Sequence, residues 1–163
     1  MGTQWKMGVG MGLLAMAILG CDAETEDVLG EPGESQFAAV YDSPGFASCS
    51  NCHAPDAPGK VDGTENTQDW TDQDSAYAAL QGTASGLIGN FEGCNGVPFI
   101  GDTVETSLIV AALDQDVRDN FSHPDFPNCT PEAISNMQLK VGGTITEEDL
   151  TALKTWIENG AQE

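Results

Sequence analysis

Positive charge is what this sequence has least of: 5 lysines and arginines stand against 26 aspartates and glutamates in 163 residues, a formal net charge of −21. A nucleic-acid-binding face must neutralise phosphates with clustered cations, which electrostatics excludes here, and the same balance argues against adsorption to anionic lipid. Long apolar runs are missing too. The run Met7 to Leu19 covers 13 residues, whereas a helix needs about 20 to cross a bilayer. Histidine occurs only as His53 and His123, and no second pair of closely spaced Cys or His follows the first, so a four-ligand zinc site lacks its other half. Internal repeats are absent, and the length and 40% apolar content suit one domain with a modest core.

The first twenty residues carry Lys6 as their single charge, and the apolar run behind it has the proportions of a secretory signal. It ends Ile18-Leu19-Gly20-Cys21, which resembles the lipobox of bacterial lipoproteins. That resemblance implies a diacylglycerol on Cys21 as the mature N-terminus, and an exported protein anchored on the periplasmic side of a bacterial membrane. The alternative, an ordinary signal peptide, would leave Cys21 as an exposed thiol in an oxidising compartment. Residues 21–35, with Asp22, Glu24, Glu26, Asp27, Gly30, Pro32 and Gly33, read as an acidic, self-repelling tether. Its r.m.s. span is roughly 20 Å. Residues 36–163 remain as the folded domain.

Within that domain the densest chemical signal is Cys49-Ser50-Asn51-Cys52-His53, the C-x-x-C-H spacing of covalent c-type haem attachment. Two thiols three positions apart can each join one vinyl group, and the residue that follows can present its imidazole to iron. A redox dithiol is the competing reading, but the βαβ pattern that accompanies thioredoxin-like sites is not visible here.

Elements around the motif are expected to be short helices. Phe37, Ala38, Val40 and Tyr41 give an apolar face ahead of Pro44 and Gly45, and 54–71 reads as loop. Gln73 to Gln81 is a helix by its boundary residues, with Asp72 or Asp74 at its start, Gly82 past its end, and Tyr77 and Leu80 pointing inward. Residues 82–101 look irregular. Thr106 to Leu113 is helical, with Leu108, Ile109, Ala112 and Leu113 as its core face, and 114–131 is loop, broken by Pro124, Pro127 and Pro131. The final helix is the best defined: Glu147, Glu148 and Asp149 suit its positive end, Leu150, Leu153, Trp156 and Ile157 form a stripe, and Gly160 stops it.

Taken with Ala76-Tyr77-Ala78-Ala79-Leu80, Thr106-Ser107-Leu108-Ile109, and an ending that runs from Met137-Gln138-Leu139-Lys140-Val141-Gly142-Gly143 to Leu150-x-x-Leu153-x-x-Trp156-Ile157-x-x-Gly160-Ala161, the motif makes the chain resemble the bacterial small monohaem cytochromes c. The likeness covers nearly all of residues 36–163, with Gln138 standing where many relatives carry proline. It implies an all-α cytochrome c fold with long loops, in which N- and C-terminal helices cross around one covalent haem c. The implied activity is one-electron transfer rather than enzymatic conversion of a substrate, with redox proteins as partners. An acidic carrier would meet basic docking faces on them.

The sixth iron ligand can be approached from the residues themselves. Met1, Met7, Met11 and Met16 lie in the signal, which leaves Met137 as the mature chain's one methionine, in a Gly-rich loop before the last helix. A thioether opposite His53 would favour ferrous iron and raise the potential. His123 is the competitor, and an open sixth position is the third possibility. That last state would make the protein a peroxidase-like haem enzyme or a gas sensor. With Cys21 assigned to lipid and Cys49 and Cys52 to haem, Cys94 and Cys129 are left as a disulfide, or else as two buried thiols.

Overall fold

A computed structural model of the protein describes residues 35–57, 68–140 and 144–163. The expected signal at 1–20, Cys21, the tether up to residue 34, and Gly142 and Gly143 lie outside these residues. Among the described residues every regular element is helical, and extended pairing is confined to one isolated antiparallel bridge, Thr83 to Pro98. The protein is all-α there. No helix among the described residues is long and apolar enough to cross a membrane.

The α-helices are α1 (Ala38–Tyr41), α2 (Gln73–Leu80), α3 (Leu108–Leu113), α4 (Gln115–Asp119), α5 (Met137–Lys140) and α6 (Glu147–Glu158), with 3-10 turns at Phe46–Asn51, Gly89–Cys94, Val104–Thr106 and Pro131–Ala133. Most are too short to persist alone, so packing must hold them. The longest, α6, is the exception in its local definition. Thr146 and Asp149 form a reciprocal capping box, the Asp149 N–H donating to Thr146 Oγ1 at 3.2 Å and the Thr146 N–H to Asp149 Oδ2 at 2.7 Å. At the other end Gly160 N–H reaches the Ile157 carbonyl and Ala161 N–H the Trp156 carbonyl, both at 2.9 Å. That is a Schellman stop, and it needs the φ of +91° that Gly160 adopts. Leu150, Leu153, Trp156 and Ile157 are all buried.

One aromatic cluster forms the part of the core that faces the N-terminal segment. Phe37 lies 4.9 Å from Trp156 and 5.6 Å from Tyr77, ring centre to ring centre, so α1 packs directly on α6. Trp70 stacks on Phe46 at 5.8 Å and on Tyr41 at 6.1 Å. In α2, Asp72 caps the helix by accepting from the Ser75 N–H at 2.8 Å, Leu80 is buried and Tyr77 half-buried.

Two expectations need correction. The core residues of α3 are Leu108, Val110, Ala111 and Leu113, while Ile109 and Ala112 are half-buried. A single apolar face does not describe this helix, because α4, α5, α6 and the Val104–Thr106 turn all pack against it. The segment 114–131 is not all loop either, since α4 occupies its first part. Asp114 caps α4 by accepting from the N–H groups of Asp116 at 2.8 Å and Val117 at 3.2 Å, and also accepts from Lys154 Nζ of α6 at 2.5 Å. Arg118 is buried and donates to the Ala111 carbonyl at 3.4 Å. Five residues are too few to show a helical period, so these tertiary bonds, not a sequence pattern, define α4.

Candidate functional site

The site is built from the turn that follows Gly45. The Gly45 N–H donates to Asp149 Oδ1 at 3.4 Å. A Cβ at position 45 would run into the Asp149 carboxylate and lie 3.1 Å from Ile145 Cα, so close approach requires glycine here. Ser48 Oγ donates to the Gly45 carbonyl at 2.7 Å and sits 3.2 Å from Thr144 Oγ1. The segment leading into the cysteines is thereby latched to the residues that start α6.

Phe46, fully buried, anchors the 3-10 turn Phe46–Asn51 in the aromatic cluster. The carbonyl of Cys49 accepts from the N–H of Cys52 at 3.1 Å and of His53 at 2.8 Å, which wraps Cys49, Cys52 and His53 around one turn. All three are half-buried, Cys49 packs against the core, and the Nδ1 atom of His53 is buried. The His53 carbonyl accepts from the Trp70 N–H at 2.6 Å, which brings the chain back to the motif.

The structure joins Cys94 to Cys129 as a disulfide with Cα atoms 4.4 Å apart, both buried. It ties the Gly89–Cys94 turn to the segment before Pro131, and leaves Cys49 and Cys52 as free thiols. Burial, and then the neighbouring Cys52, push the Cys49 thiol up to about 12. Such a thiol is protonated at neutral pH and a poor partner for disulfide exchange, which weighs against a redox dithiol. Among the described residues no three His, Cys, Asp or Glu side chains gather where they could hold a bare metal ion.

Met137 lies on a different element. It opens α5, is half-buried against the core, and α5 packs on α3. The expected loop thus begins as a helical turn. Beside Met137, Gln138 Nε2 donates to the Ile145 carbonyl at 2.6 Å. His123 is engaged in its own loop: Nδ1 accepts from the Asp125 N–H at 3.3 Å, and its ring meets Phe126 edge-on at 4.9 Å. Cys49, Cys52 and His53 are therefore brought together on one turn, while Met137 approaches the same core from α5 and His123 belongs to a local turn.

The donor set suits a covalently held haem. Two thiols and one imidazole share a turn, and Cys49 and Met137 both pack, half-buried, against the same apolar core. Cys49 and Cys52 would supply the thioether bonds, and His53 and Met137 are the residues that would hold its iron. Two clefts formed by described residues lie elsewhere. One, about 650 Å³, is lined by Val40, Pro44, Ala152 and Trp156; the other, about 540 Å³, by Asp114, Val117, Gln138, Leu150 and Lys154.

The Gly45 to Asp149 latch was not anticipated from sequence, although the Thr146-x-x-Asp149 pattern announces half of it. The Gln138 bond has no sequence signal. No protein-family model, curated protein or solved structure matches the chain, so its chemistry has to be read from these residues.

Proposed function

We propose that the protein is a one-electron carrier with a single covalent haem c in a cytochrome c fold, exported and held at the periplasmic side of a bacterial membrane by lipid on Cys21. The observation that carries this reading is the Cys49, Cys52 and His53 turn, whose two thiols stay free while the other described pair, Cys94 and Cys129, is oxidised. The packing of α1 on α6 through Phe37 and Trp156 supports the fold. When bound, the haem supplies a ferric/ferrous couple. The chain's own contribution would be to hold it: Cys49 and Cys52 would bind it covalently, and His53 and Met137 would ligate its iron. The buried Phe46, stacked on Trp70, anchors the turn that carries the cysteines in the core.

Met137 decides between carrier and enzyme. A saturated iron reacts poorly with small ligands and passes electrons with little rearrangement. Replacing Met137 by Ala in the haem-loaded protein should abolish the weak far-red ferric band of Met ligation, lower the potential and admit carbon monoxide to ferrous iron. His123→Ala should change none of these. Rapid carbon monoxide binding by wild type, or opening of the site by His123→Ala instead, would replace the carrier with a peroxidase-like enzyme or gas sensor.

A further inference from the structure

We propose that Gln138 is the positioning residue that holds Met137 as an iron ligand, an inference that rests on the haem reading above. Met137 sits in a helix of four residues, and a single turn has no useful stability of its own. Something must fix it. The Gln138 side chain reaches seven residues ahead and donates Nε2 to the Ile145 carbonyl at 2.6 Å. A carbonyl can only accept, so the amide nitrogen has to face it. The bond closes the segment between Met137 and α6 into a ring.

Its far end is not an ordinary loop position. Ile145 is buried, precedes the Thr146 cap of α6, and its Cα lies against Gly45, whose N–H is bound by Asp149. Gly45 in turn leads directly into the turn of Cys49 and His53. Gln138 therefore ties the element that carries one axial ligand to the scaffold that carries the other, by way of Ile145, Gly45 and Asp149. An amide is the group this position needs. Its Nε2 supplies the donor that the Ile145 carbonyl takes, whereas a carboxylate there would bring charge and no donor.

Gln138→Leu keeps the bulk and removes the donor, leaving the Ile145 carbonyl unpaired. Gln138→Glu keeps the length of the side chain and replaces the amide donor by a carboxylate, which at pH 7 can only accept. The haem-loaded wild type and both variants are compared by far-red ferric absorbance during heating and by carbon monoxide binding to the ferrous form, with far-UV circular dichroism to verify folding. At pH 7 both variants should bind carbon monoxide about tenfold faster than wild type, the cost of one unmade buried bond. Both should also lose the far-red band at a lower temperature, with unchanged helix content. Wild-type behaviour of either variant at pH 7 overturns the staple. Absence of the far-red band from wild type overturns Met137 ligation itself, and the staple with it.

Discussion

At the scale of single residues, Gly45 and Asp149 form a contact that tolerates no added side-chain atom. Burial works to raise the Asp149 pKa, but the Thr146 N–H and hydroxyl and the Gly45 N–H outweigh it and hold the carboxyl below the ordinary aspartate range. A depressed folded-state pKa stabilises the fold above the unfolded value of about 3.9, and that stability is lost as pH falls through the lower folded value. Asp149→Asn should therefore cost about 1–2 kcal/mol at pH 7 and unfold with a weaker acid dependence than wild type. Gly45→Ala should cost about 2–3 kcal/mol at either pH, because its Cβ enters the Asp149 carboxylate and crowds Ile145. Urea unfolding at pH 7 and pH 3 checks both. Equal acid dependence in wild type and Asp149→Asn would remove Asp149 from this role.

At the scale of elements, what could be read in advance was what the chain specifies locally. Helix α6 carries its own cap, stripe and glycine stop, and α2 its own Asp72 cap, so both appear within a residue of where their sequences place them. Helix α4 is held by Lys154 and a buried Arg118, and α3 is enclosed on several sides; both depend on distant residues that no local period reveals. The site divides in the same way. Spacing alone picks out Cys49, Cys52 and His53, whereas α5 and the Gln138 bond exist only through Ile145. The disulfide is an element-scale device too, since it fastens the Gly89–Cys94 turn to the segment just before the Pro131–Ala133 turn, which packs on it, two pieces with little regular structure to hold them. Closing a loop of 35 residues should stabilise the fold by about 4 kcal/mol in the chain-entropy model. Replacing Cys94 and Cys129 together by Ala should accordingly lower the melting temperature while leaving the haem absorbance in place. A variant that melts with wild type would show that packing of the two turns suffices without the bond.

At the scale of the whole molecule, charge governs what the protein can approach. Of its five cations, Arg118 is buried and Lys154 is paired with Asp114, so neither stands free against the chain's 26 acids. Such a body is steered toward basic partners at low salt, less so as salt rises, and is repelled by anionic lipid. On the lipoprotein reading, lipid on Cys21 would supply a hold on the membrane that this charge does not. A diacylated Cys21 would bring at least two acyl chains, enough for stable anchoring where one chain would detach. The acidic stretch behind it would let the domain stand off the surface. In cells that export and load the protein, Cys21→Ser should move it from the membrane fraction to the soluble one with an unchanged haem spectrum. Wild type should stay with the membrane through a high-salt wash that strips proteins held by charge. If the Ser variant still sediments with membranes, some other part of the chain makes the attachment and the lipoprotein reading fails. Release of wild type by salt alone would point instead to a basic membrane partner.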